Sequence, residues 1–74
     1  MRQQDLELLL QRVPCPRLRL HLTNGAVFEI NDPDLVFVSR STLELLLPPT
    51  DGVHREAVIN LLHIIWVEVL SPSS

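Results

Sequence analysis

"RLRLHLTNGAVFEI", residues 17 to 30, is the stretch whose reading decides the fold. Leu18, Leu20 and Leu22 alternate with Arg19, His21 and Thr23, the period of a half-buried strand with leucine inward. Beyond Asn24 and Gly25, Ala26, Phe28 and Ile30 alternate with Val27 and Glu29. A two-residue Asn-Gly loop would pair Thr23 with Ala26 and His21 with Phe28. That register sets the apolar side of one strand on the polar side of the other, which a hairpin with one buried face rejects. Moving Thr23 into the loop gives a three-residue turn with Gly25 in the left-handed position of a G1 bulge. Leu22 then faces Ala26, Leu20 faces Phe28 and Leu18 faces Ile30. Arg19, His21 and Glu29 share the outside.

Upstream, "QDLELLLQR" (4–12) predicts a short helix. Asp5 is placed to cap it, and Leu6, Leu9 and Leu10 form its apolar stripe. Pro14 and Pro16 end the helix and fix an extended connector, 13–17, that carries Cys15. Downstream, "NDPD" (31–34) reads as a turn in which Asp32 and Asp34 are turn-formers. Extended chain resumes over 35–39, Arg40 and Ser41 turn, and 42–48 is a strand. "PPTDG" (48–52) predicts a loop with Gly52 at positive φ. Strands follow over 54–60 and 63–70, with Leu61–Leu62 between them as a tight turn or one helical turn. Residues 71–74 read as a frayed tail. The pattern predicts one mainly β domain, a small barrel of five or six short strands over 18–70 behind an N-terminal helix.

At 74 residues and 46% hydrophobic, the chain carries more apolar side chains than so small a domain hides by itself. Self-association is the expected outlet. "HIIWVEVL" (63–70) holds one charge in eight residues, so it is expected inside the barrel or paired across a subunit interface, giving a homo-oligomer by strand-edge pairing. The net charge is −3 and all six basic residues are arginine, which is not the global basic footprint of a typical nucleic-acid binder. A single cysteine argues against a disulfide framework or a thiolate metal cage. Asp5 and Glu7 interrupt the first apolar run where an export signal carries no acid, and no run approaches a membrane span. The expectation is a soluble cytoplasmic protein with no membrane partner.

The order of these elements resembles the Sm-like family, and within it the Hfq-like RNA chaperones of bacteria. The likeness runs from the helix through "RVP" (12–14) into a strand. It continues through "LTNGAVFEI" (22–30), like the opening of the first Sm motif, to "LLHIIWVEVL" (61–70), which sits like the second. The pattern is also similar to a family of small uncharacterised bacterial proteins with a short helix, a proline connector, an Asn/Asp-Gly hairpin, an Asp-Pro turn and a closing hydrophobic strand. The resemblance implies an Sm-like (SH3-type) barrel that assembles into a ring and binds single-stranded RNA. The family's Gln-Phe uridine contact falls on Asp34 and Leu35. Leu35 offers an apolar contact but no stacking, and Asp34 repels phosphate. The family's Lys-His pair falls on Leu62 and His63, so the histidine is kept and the lysine is not. The Arg/Lys-Gly signature of eukaryotic and archaeal Sm proteins is absent.

Among the residues themselves, Arg17, Arg19 and His21 offer a small basic patch. The plainer reading of His21 is a solvated sheet face with cross-strand pairing. His63 is either the retained site histidine or a strand-edge histidine bonded to backbone. Trp66, on a strand alternating Ile64, Trp66 and Glu68, shares its face with a charge and belongs at an interface or a barrel rim. His54 and Glu56 share a face but lack a third ligand at metal-binding spacing. Cys15 reads as a connector thiol. No nucleophile–base–acid set or Gly-rich phosphate loop is present. The expectation is a non-enzymatic module with no cofactor that binds itself and either a protein or single-stranded RNA. Its contacts would be Arg17, Arg19, His21, Leu35, His63 and Trp66; a small metal-dependent enzyme is the remote alternative.

Overall fold

Turns capped by a short polar side chain stand at both junctions between the two sets of strands. The computed structural model describes residues 1–70. In it the chain runs α1 (Gln3–Leu10), β1 (Arg17–Leu22), β2 (Val27–Ile30), β3 (Val36–Val38), β4 (Thr42–Thr50), β5 (Val53–Asn60) and β6 (Ile64–Leu70). At the first junction Asp32 accepts a hydrogen bond from the Asp34 N–H and Pro33 opens a 3-10 turn, Pro33–Leu35. At the second, Asn60 accepts from the Leu62 N–H at 2.9 Å and opens a 3-10 turn, Leu61–His63. Asp32 therefore acts as the turn-former expected of it, and Leu61–Leu62 lie in a helical turn.

The strands form two antiparallel three-stranded sheets, β2-β1-β6 and β3-β4-β5. This corrects the expectation of a closed barrel: no ladder joins the sheets among the described residues. The physical reason lies at the junctions, where the 3-10 turns divert backbone groups from continuous pairing. What unites the sheets is their inner faces. Leu18, Leu20, Leu22, Ile30 and Ile64 from the first and Leu43, Leu45 and Ile59 from the second form one buried cluster, with Leu6 of α1 and Leu61. Each such side chain stabilises the fold by roughly 1.5–3 kcal/mol relative to exposure.

The opening hairpin has the register that face arithmetic requires. Leu18 pairs with Ile30 and Leu20 with Phe28, while the Leu22 N–H donates to the Ala26 carbonyl at 2.9 Å. Gly25 sits at φ 85, where a side chain is strained, and its N–H closes the turn onto the Leu22 carbonyl at 3.0 Å.

Four local expectations change. Asp5 lies in the first helical turn instead of at the cap; Arg2 holds the cap position and no side-chain cap bond forms. The helix ends at Leu10, and β1 already begins at Arg17. Pro48 and Pro49 belong to β4, where the ladder with β5 shifts register between Leu47 and Thr50. A bulge frees positions from ladder bonding, which lets prolines without N–H groups stay in the strand. The loop shrinks to Asp51 and Gly52, both at positive φ (52 and 77), a backbone suited to a tight hairpin. Finally, β6 does not alternate throughout. Leu22 pairs with Ile64 but His21 pairs with Trp66, so Ile65 is extruded and Ile64 turns inward while Trp66 and Glu68 turn outward. The expected tail, 71–74, lies outside the described residues. No described helix is long and apolar enough to cross a membrane.

Candidate functional site

Residues 17 to 21 of β1 alternate their side chains across the sheet, so Arg19 and His21 share the outer face of the first sheet with Glu29 on β2 and Glu68 on β6. Arg19 lies between the two carboxylates. Its Nε and Nη2 donate to Glu29 Oε1 at 3.2 and 3.0 Å, and its Nη1 donates to Glu68 Oε1 at 3.3 Å. His21 Nε2 lies 3.2 Å from the same Glu68 oxygen. The His21 ring stacks on Trp66, with centroids 4.0 Å apart and planes 5° from parallel.

These contacts set the electrostatics. The hydrogen bond to Glu29, with the charge of Glu68 beside it, raises Arg19 above its ordinary value. The hydrogen bond from His21 and the neighbouring Arg19 charge hold Glu68 below the ordinary carboxylate value. Two carboxylates meet one guanidinium here, so the patch is compensated instead of basic. One face of the Trp66 ring is occupied by His21, although the residue is 50% exposed overall.

The remaining positions singled out by sequence fall elsewhere. Arg17 is exposed at the end of β1 opposite Leu70. Leu35 closes the first 3-10 turn and lines a cavity of about 360 Å³ with Glu29, Asp32, Leu46, His54 and Arg55. His63 closes the second 3-10 turn, where its Nδ1 lies 3.3 Å from the Thr23 hydroxyl and its carbonyl accepts from the Thr23 N–H at 2.9 Å. It lines a different cavity, of about 410 Å³, with Leu22, Phe28, Ile59 and Asn60. The chain thus brings together Arg19, His21 and Trp66, and keeps Leu35 and His63 apart from them and from each other. Cys15 is partly buried, its thiol 3.5 Å from the Pro16 carbonyl. Among the described residues no group of three or more His, Cys, Asp or Glu side chains converges on a metal-binding position.

Sequence reading missed two things. Glu68 is the hub of the outer patch, and its only sequence signal is a polar position on the closing strand, 49 residues from Arg19. The second is the outer face of the second sheet. Phe37 stands opposite Glu44, Glu44 opposite Val58, and Leu46 opposite Glu56, so apolar and acidic side chains alternate across three strands. Phe37 is 66% exposed, Val58 63% and Leu46 52%. The signal was present in "TLELLL" (42–47), where Glu44 and Leu46 share one period-2 face. Searches against protein-family models, curated proteins and solved structures find no match to this chain.

Proposed function

We propose that the chain is a non-enzymatic Sm-like module of the cytoplasm that associates with copies of itself through strand edges and binds another macromolecule, a protein in preference to single-stranded RNA. The order helix, Asn-Gly hairpin, central strands, 3-10 turn and closing strand on β1 supports the Sm-like part of the reading. The observation that carries the association is two of the four edge strands, β2, β6, β3 and β5. β5 borders the second sheet and β6 borders the first, and each bears exposed apolar side chains, Val53 and Val58 on one and Ile65 and Trp66 on the other. β6 holds one charge, Glu68, in seven residues, and an edge strand with unpaired backbone groups and so little charge is a template for another strand; β5, with Arg55 and Glu56, is the weaker template.

The state of the proposed RNA contacts favours protein. Arg19 directs Nε, Nη1 and Nη2 to carboxylates, one Trp66 face is covered by His21, and Leu35 and His63 line separate cavities. A ring that grips phosphate needs free cations, and a base needs an open aromatic face.

Light scattering tests the association. The wild-type chain is expected to exceed monomer mass at tens of micromolar. Ile65→Lys, which places a charge at the β6 edge, is expected to shift it towards monomer with the fold kept by circular dichroism. A monomeric wild-type chain overturns the oligomer. A low-salt titration with short U-rich and A-rich RNAs tests the choice of partner. Tight binding that weakens steeply with salt overturns the preference for protein.

A further inference from the structure

The outer face of the second sheet carries acidic side chains that no ion pair answers among the described residues. Glu44 lies between Phe37 and Val58 across the sheet, Glu56 lies beside Leu46, and Asp34 borders the same depression of about 250 Å³. Cross-strand neighbours on one face stand about 4.5–5.5 Å apart between Cβ atoms, so these side chains form one continuous surface. Among the described residues no cation lies within ion-pairing distance of any of the three carboxylates; the ion pairs all gather on the opposite sheet.

We propose that this face receives a polypeptide segment presenting lysine or arginine together with apolar side chains on one side. The inference rests on the reading of the chain as a protein-binding module and names the chemistry of its partner. The apolar trio Phe37, Leu46 and Val58 supplies area that gains from leaving water, and the carboxylates between them select positive charge. Complementarity excludes the obvious rivals. RNA phosphate meets three negative charges. A second copy carries the same net charge of −3, and its exposed arginines outside the salt bridges, Arg2, Arg12, Arg17, Arg40 and Arg55, are dispersed over the helix start, the two ends of the proline connector, the turn before β4 and β5.

The test uses the full chain and a labelled nine-residue peptide, Lys-Thr-Leu-Thr-Lys-Thr-Leu-Thr-Lys, which in extended form puts lysine and leucine on one side. Fluorescence anisotropy is expected to show saturable binding at low salt. E44K/E56K should weaken it at least about tenfold, as loss and reversal of two facing charges requires. D5K/D51K makes the same change of net charge elsewhere and should leave affinity within about twofold when both variants are compared at about 0.15 M salt, where the screening length is about 8 Å. Peptides with leucine replaced by serine, or lysine by glutamate, should each lose most of the binding. No binding of the parent peptide overturns the proposal, as does equal weakening by the two double variants. Light scattering on the same samples separates this from self-association. An oligomer that ignores the peptide refutes the docking face and leaves the edge-pairing reading intact. If E44K alone, on the central strand β4, dissolves the oligomer, the face is covered by a second copy and the proposal fails.

Discussion

On the outer face of the first sheet, Arg19 binds Glu29 and Glu68, and His21 lies against Glu68 and Trp66, so charges and rings answer one another across three strands. On the outer face of the second, Glu44 and Glu56 stand among Phe37, Leu46 and Val58, and among the described residues no cation lies at ion-pairing distance. Both faces belong to antiparallel three-stranded sheets over one core. The difference teaches that polarity alone does not mark a binding surface. A charge already answered within the fold is structure, whereas a charge left facing water among apolar groups has affinity to give.

If the sheets differ only outside, the inside should respond alike. Leu20→Ala in the first sheet and Leu43→Ala in the second remove fully buried side chains. Each is expected to lower unfolding free energy by about 2–5 kcal/mol in urea titrations. A near-zero loss at either position breaks the shared core. A smaller effect tests the outer face of the first sheet by pH. Glu68 is held below its ordinary value of 4.5 in the folded chain. Its contribution to stability is therefore complete above that value and is lost as pH falls through the lower folded value. Glu68→Gln should flatten this acid limb in unfolding curves. A limb unchanged by Glu68→Gln would show that the network of the first face has no weight. The smallest effect is expected at neutral pH, where Glu44→Gln should change stability by no more than about 0.5 kcal/mol. A larger loss would mean that Glu44 has a partner in the fold, and the contrast would fail.

The hairpin was legible because two constraints met there: one face must be apolar on both strands, and Gly25 allows positive φ. The same logic misplaced Pro48 and Pro49. Turn chemistry is local, and the pairing of Leu46 with Glu56 and Leu47 with Arg55, which holds β4 extended up to them, is not. Strict alternation also put Ile64 beside Trp66, because the extrusion of Ile65 is fixed by the register of β6 on β1. The partition into two sheets was hidden for a related reason. A closed barrel and two packed sheets share one inward periodicity, and only the path at Asp32–Leu35 and Asn60–His63 separates them. The outer patch was half visible, with Arg19, His21 and Glu29 placed together and Glu68 left out.

The pairing of β1 with β6 has a temporal consequence. The second sheet is a meander complete once residue 60 is in place, each strand hydrogen-bonded to the one before it. The first sheet needs Leu18 to find Val69 and Leu20 to find Val67, across most of the chain. As the polypeptide is synthesised, the β1–β2 hairpin therefore has one bare flank until the closing strand arrives, whereas the meander need not wait for it. Non-local pairing of this kind sets the pace of folding. During that interval the open flank of β1 is the kind of unpaired strand edge at which nascent chains misassociate.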